Sequence, residues 1–182
     1  KLMIRESLFQ SISIATTTGF TTTEFQNSSG YLPLMLIIYC FIGACAGSTG
    51  GGIKVIRVLL LFKQGIREIK RLIHPNAIFT IKINDKPISE RIIEAVWGFL
   101  AVYVVIFTIL LLALMATEID FTTAFSALSA CINNLGPGLG EVSQNYYTIN
   151  NFAKWILCFA MLLGRLEIFT LLVLFTPAFW RH

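Results

Sequence analysis

Charged side chains are scarce in this chain. They make up 13% of its 182 residues, against about 25% in an ordinary soluble domain. Hydrophobic residues make up 55%, and that balance predicts a membrane protein before any motif is read. Histidine is nearly missing: only His74 and His182 occur, and neither is near a cysteine in sequence. The four cysteines, Cys40, Cys45, Cys131 and Cys158, form no C-x-x-C pair. They read as buried structural thiols rather than metal ligands or a redox pair. The first residues lack a charged segment followed by a long apolar run and a cleavage site, so no signal peptide is expected. The chain opens on Lys1 and is expected to be part of something longer.

Three stretches are apolar enough to span a bilayer, which takes about 20 residues. The first runs from Tyr31 into the 50s, with no charge between Glu24 and Lys54. The second, Ala95 to Ala116, carries none at all. The third, Trp155 to Trp180, is interrupted only by Arg165 and Glu167. Two further apolar stretches, Leu8 to Thr18 and Phe121 to Leu135, are too short. The longer of them would reach about 22 Å as a helix, and the hydrocarbon core is about 30 Å thick. Beside spanning helices, they read as re-entrant segments.

The basic residues give the topology. Nine of the fourteen lie between Lys54 and Arg91, opposed there only by Glu68, Asp85 and Glu90, with Glu94 just beyond. A short loop this basic belongs on the cytoplasmic side. Val55 to Ile73 has helical character, and Pro75, Asn84 and Pro87 then break it. Both short helices are then expected to dip in from the outer face.

The chain reads as a repeat of short helix, Gly-containing turn and spanning helix. Phe9, Ile12 and Ser13 match Phe125, Leu128 and Ser129 at one spacing. Gly19 matches Gly136 at a spacing one longer, so the second copy is expected to hold one extra residue before its turn. The expected units are 1–73, ending in an interrupted membrane helix, a cytoplasmic connection 74–94, and a second, fuller repeat 95–182.

Each short helix ends in an unusual turn. The first is Thr17-Thr18-Gly19-Phe20 and the second Asn134-Leu135-Gly136-Pro137. Irregular backbone is tolerated at membrane depth only when buried in protein or lining a watery path. Glycine can turn carbonyls inward, inward carbonyls can replace the hydration shell of potassium, and a helix C-terminus favours a cation. The plainer reading is a pair of surface turns.

A second unusual segment is Gly43-Ala44-Cys45-Ala46-Gly47-Ser48-Thr49-Gly50-Gly51-Gly52. Its glycines interrupt a helix, and it lacks the G-K-[ST] ending of a phosphate loop. It is either a close helix-packing stretch or a flexible stretch below the first turn that opens or blocks a path. Arg165 sits in mid-span, where a charge usually faces a bundle interior or water. It is either a structural ion-pair member or a positive barrier beside a cation path. Glu24, Glu118, Asp120 and Glu141 fall on the expected outer face, as cation-concentrating groups or plain surface charges.

The stretches SLFQSISIATTTGFTT, GACAGSTGGGIKVIRVLLL, SALSACINNLGPGLGEV and MLLGRLEIFTLLVLF resemble the Trk/Ktr/HKT superfamily of potassium transporters, its bacterial Trk branch in particular. The resemblance implies an all-α membrane protein. Potassium-channel-like repeats of membrane helix, re-entrant pore helix and membrane helix would surround one pore. It places this chain from the third pore helix through the fourth repeat. Gly19 and Gly136 match the filter glycines, with Thr17, Thr18, Phe20, Asn134, Leu135 and Pro137 as filter neighbours. Potassium would be held by the carbonyls of Thr18, Gly19, Leu135 and Gly136. Gly43 to Gly52 matches the intramembrane gating loop, and Arg165 the arginine that projects towards the pore. Asn134-Leu135-Gly136-Pro137 departs from the T-V-G-like filter pattern.

Expected from the resemblance are potassium uptake, by symport or passive flux, in a bacterial inner membrane that the chain crosses several times. Its expected partners are membrane lipid, a second copy, and a cytosolic ring of nucleotide-binding regulatory subunits that contacts the basic 54–91 region. No cofactor, nucleic-acid partner or enzymatic activity is expected, with potassium as the transported substrate. The alternative is a membrane-embedded scaffold or enzyme subunit that conducts no ion. It would need convergent carboxylates, His or Cys at membrane depth, and the spans offer only scattered cysteines read as structural and the charged pair Arg165 and Glu167.

Overall fold

A computed structural model describes residues 2–21, 30–43, 51–77, 79–84, 86–143, 145–166 and 168–180. The chain is built of helices. In order they are α1 (Leu2–Ala15), α2 (Leu32–Phe41), α3 (Val55–Ile73), α4 (Glu90–Met115), α5 (Phe121–Ile132), α6 (Asn151–Arg165), α7 (Ile168–Phe175) and α8 (Pro177–Trp180). A two-stranded hairpin, β1 (Lys82–Ile83) and β2 (Lys86–Pro87), joins α3 to α4. It turns on Asn84, whose φ of 46° suits an asparagine.

The three long apolar runs, the first of them expected to be interrupted at its glycines, differ in how far each continues as one helix. Among the described residues, α4 is the one helix long and apolar enough to cross a membrane by itself. Only 22% of its most apolar stretch is buried. A soluble core helix would be mostly covered, whereas α4 leaves Val104, Val105, Ile109 and Leu112 exposed. The first run is cut short because α2 ends at Phe41, next to the Gly-rich segment. The third begins earlier than expected, at Asn151, where Asn150 accepts a bond from the Phe152 N–H at 3.3 Å. It then breaks between Arg165 and Ile168, around the charged Arg165-Leu166-Glu167 step, of which Glu167 lies outside the described residues.

Helix α3 carries an apolar stripe at Val55, Leu59, Phe62, Ile66, Ile69 and Ile73, all exposed, at the spacing of one helical face. Its basic side ties it to the rest of the chain. The Arg57 guanidinium lies 4.1 Å over the Phe99 ring, Lys63 donates to the Lys82 carbonyl at 2.6 Å, and Arg67 pairs with Glu90 at 3.5 Å. Leu60, Ile81, Ile93 and Val96 form a small core at this end.

The main core lies where α5 is enclosed by α4 and α6. Leu114, Leu128, Ile132, Leu157 and Leu163 are its best-covered members. A third cluster, Ile14, Cys40, Ala130 and Leu135, joins α1, α2 and α5. The cysteine expectation holds in part. Cys40 and Cys131 are buried, Cys158 is exposed on α6, and Cys45 lies outside the described residues.

Candidate functional site

The two short helices end alike. In α1 the Thr17 N–H donates to the Ile14 carbonyl at 3.0 Å and the Thr18 N–H to Ser13 at 2.8 Å. In α5 the Asn134 N–H donates to Cys131 at 3.1 Å and the Leu135 N–H to Ala130 at 2.8 Å. Both are Schellman endings, which need a left-handed residue just past the helix. Thr17 and Asn134 supply it, at φ of 52° and 54°. Two residues on, Gly19 and Gly136 are again at positive φ, 80° and 102°. Side chains repeat the pattern: the Thr16 hydroxyl donates back to the Ile12 carbonyl at 2.7 Å, and the Asn133 amide to Ser129 at 2.8 Å.

All these pairs share the spacing of Gly19 to Gly136. The letter match of Ser13 to Ser129 is therefore not the structural one: Ser13 corresponds to Ala130, and no extra residue separates helix end from turn in the second copy. A β-branched residue such as Thr17 in the left-handed region is a backbone outlier, and such strain persists where the surroundings over-determine it.

The turns meet. A Cβ on Gly19 would overlap the Leu135 carbonyl, and Pro137 lies just beyond. The candidate residues Thr17, Thr18, Gly19, Phe20, Asn134, Leu135, Gly136 and Pro137 thus form two adjoining turns, each fed by the C-terminal end of a short helix. Hydroxyls brace both. Ser13 donates to the Phe20 carbonyl at 2.7 Å, and Tyr146 to the Gly136 carbonyl at 2.6 Å. Beyond the second turn, the Leu139 N–H donates to the Ser126 hydroxyl at 2.9 Å.

The Gly-rich segment is anchored beneath these turns at both ends, while residues 44–50 lie outside the described residues. Gly43 packs on the Ala15 carbonyl and on Thr17. Gly51 lies against the backbone of Asn133, and Gly52 faces the Asn133 side-chain oxygen. The Ile53 N–H donates to the Phe41 carbonyl at 2.9 Å, which closes the neck of the segment. Asn133 is itself fully covered, at 0% exposure. Its amide nitrogen lies 3.2 Å from the Cys40 sulfur, and its oxygen accepts from the Tyr103 hydroxyl at 3.3 Å.

Arg165 closes α6 and is exposed. Its neighbour Gly164 is pressed so closely on the Ile132 carbonyl that a side chain there would overlap it. Arg165 therefore follows directly on a backbone contact with the end of α5. Of the acidic residues, Asp120 accepts from the Thr122 N–H at 3.0 Å and so caps α5; Glu118 and Glu141 are exposed. Glu24 lies outside the described residues.

Sequence reasoning missed Asn133 and Tyr146. Asn133 could have been caught as a polar residue at the end of an apolar helix; Tyr146 gives no local signal.

Residues 2–182 match a family model described as a cation transport protein, TrkH. The Trk system potassium uptake protein TrkH of Escherichia coli strain K12 is 56% identical over 181 residues, which is 100% of this chain and 38% of that protein. TrkG of the same strain, also a Trk system potassium uptake protein, is 38% identical over 175 residues, 96% of this chain and 36% of that protein. The crystal structure of the potassium transporter TrkH from Vibrio parahaemolyticus superposes with a TM-score of 0.89 at 55% identity, covering 97% of this chain and 38% of that one. The chain thus spans well under half the length of the curated relatives it matches.

Proposed function

This chain belongs to the TrkH family of cation transport proteins, and from that premise we propose that it builds two quarters of a potassium-conducting pore. One observation carries the reading. Two turns with the same hydrogen bonds and the same left-handed residues, Thr17 and Gly19 against Asn134 and Gly136, adjoin at the ends of two short helices. Helix C-termini favour a cation without any carboxylate, and glycine turns can offer it carbonyls in place of water. The relatives are named as potassium uptake proteins rather than enzymes.

In this reading the carbonyls of Thr18, Gly19, Leu135 and Gly136 supply half of a selective site. The segment Gly43 to Gly52 gates the path below it. The contacts of Gly43 with Thr17 and of Gly51 with Asn133 support that role, because a change in the segment reaches both turns. Arg165 adds a positive barrier next to the same path. The full protein would sit in a bacterial inner membrane as a dimer. Regulatory subunits in the cytosol would dock on the basic surface of α3 and the hairpin.

The test is ion flux in vesicles holding the full-length protein with Gly19→Ser or Gly136→Ser. Each change is expected to weaken the preference for potassium over sodium. An unchanged preference in both variants overturns the filter assignment.

A further inference from the structure

The two turns are braced by different hydroxyls, and on different carbonyls. In the first, Ser13 of α1 donates to the carbonyl of Phe20, one residue past the glycine. In the second, the bond lands on the glycine itself: the Tyr146 hydroxyl donates to the Gly136 carbonyl at 2.6 Å. Tyr146 comes from outside the turn, past the short 3-10 helix Gly140–Val142 and before α6. Its ring packs on the main core, and its hydroxyl lies 3.9 Å from the Cys131 sulfur in the last turn of α5. The donor is thus held from both sides before it reaches the carbonyl. Gly136 has open space where a side chain would be, and its φ is 102°. Its N–H reaches the Ala130 carbonyl only at 3.4 Å, so the Tyr146 hydroxyl is the closer hold on this residue.

We infer that Tyr146 is a positioning residue for ion selection, a strut that fixes the Gly136 carbonyl and makes this quarter unlike its neighbour. This rests on the reading of Gly19 and Gly136 as filter glycines. Selection between cations of one charge depends on the carbonyls that replace the hydration shell, through the size of the cage they form or the number and field strength of their dipoles. A carbonyl that already accepts a hydrogen bond keeps one lone pair for an ion and holds a fixed orientation. Losing the hydroxyl lets that peptide turn, which softens one quarter of the site and leaves the others as they were.

The experiment compares Tyr146→Phe, Gly136→Ser and Tyr147→Phe in the full-length protein, reconstituted in vesicles and read as rubidium flux against sodium flux. Tyr147 is the adjacent tyrosine and is 86% exposed. Tyr146→Phe removes one oxygen and is expected to lower the rubidium preference about 3- to 10-fold, the range one neutral hydrogen bond carries. Tyr147→Phe is expected to leave it unchanged. If Gly136→Ser lowers the preference and Tyr146→Phe leaves it equal or raises it, the strut is overturned and the filter reading stands. If neither changes it, the strut is overturned, and the filter reading falls with it when Gly19→Ser also leaves the preference unchanged. Should Tyr146→Phe not conduct, thermal midpoints of the detergent-solubilised protein in potassium and in sodium decide the matter. A smaller difference between the two salts than in the parent supports the strut, and an equal one overturns it.

Discussion

The α-carbon of Gly19 lies against the carbonyl of Leu135, with no room for a side chain between them. The partner glycine is different. Gly136 has the same kind of backbone, at φ 102°, but open space where its side chain would be. Two alanine substitutions therefore separate strain from overlap. Gly136→Ala is expected to cost about 1–3 kcal/mol, from backbone strain alone. Gly19→Ala carries that strain plus about 1–3 kcal/mol of overpacking against a backbone atom that cannot swing away. Thermal midpoints of the full-length protein in detergent should place Gly19→Ala clearly below Gly136→Ala. Equal midpoints would remove the contact between the turns from the account.

Asn133 offers a second test. Its side chain links Tyr103 of α4, Cys40 of α2 and Ser129 of α5. Asn133→Leu keeps the bulk but strands the Tyr103 hydroxyl in the core, at an expected cost of about 1–3 kcal/mol. Tyr103→Phe alone should cost less. Because the two groups share one bond, the double variant should lose less than the sum. Additive losses in chemical denaturation would mean the bond contributes nothing.

How far these residues could be read from sequence depends on the kind of signal each gives. Gly19 and Gly136 could be picked out because each follows a short apolar run, and the structure sets both at positive φ in adjoining turns. The second turn looked irregular by letters, Asn134-Leu135-Gly136-Pro137 against Thr17-Thr18-Gly19-Phe20. What the helix ending requires is a residue that tolerates the left-handed region, and asparagine does so at least as well as threonine. The spacing of the repeat was misjudged near Ser13 because chance identity of small residues outweighed hydrogen-bond geometry that no letter carries. The break after Arg165 was visible only as a charge, and whether a charge bends a helix depends on its neighbours. Tyr146 was invisible: its partner is set by the path of a loop, and a lone tyrosine there has no periodicity to betray it.

Gly164 reverses a familiar rule. Glycine to alanine within a helix normally stabilises by about 0.5–1 kcal/mol. Gly65, in α3, has nothing within reach of an added methyl, and Gly65→Ala should follow that rule. In Gly164→Ala the methyl would overlap the Ile132 carbonyl and press on the Asn134 amide. It should destabilise, and it should also disturb flux, because α6 can then no longer lie against the end of α5. A midpoint for Gly164→Ala at or above the parent would show that α6 does not make this approach.

The Gly-rich segment can be shortened without touching its anchors. Gly43, Gly51 and Gly52 hold its ends against Thr17 and Asn133, so removing three or four residues from within 44–50 should leave the fold in place. If the segment blocks the path, the shortened protein should pass rubidium faster than the parent in vesicles, with its ion preference kept, since the turns above are intact. Unchanged flux in a variant of normal thermal stability would take the gate out of the proposal and leave the filter standing.

The ion itself should stabilise the protein that selects it. A ligand that binds only the folded state adds about 2.7 kcal/mol at a concentration one hundred times its dissociation constant. Potassium and rubidium should therefore raise the thermal midpoint of the solubilised full-length protein above its value in sodium or lithium at equal ionic strength. The order of salts matters more than the size of the shift, because general screening acts alike on all four. Gly19→Ser and Gly136→Ser should lose the difference between potassium and sodium even where their midpoints in sodium match the parent. If all four salts give one midpoint in the parent protein, no selective site is occupied under those conditions, and the pairing of Gly19 with Gly136 would be structural alone.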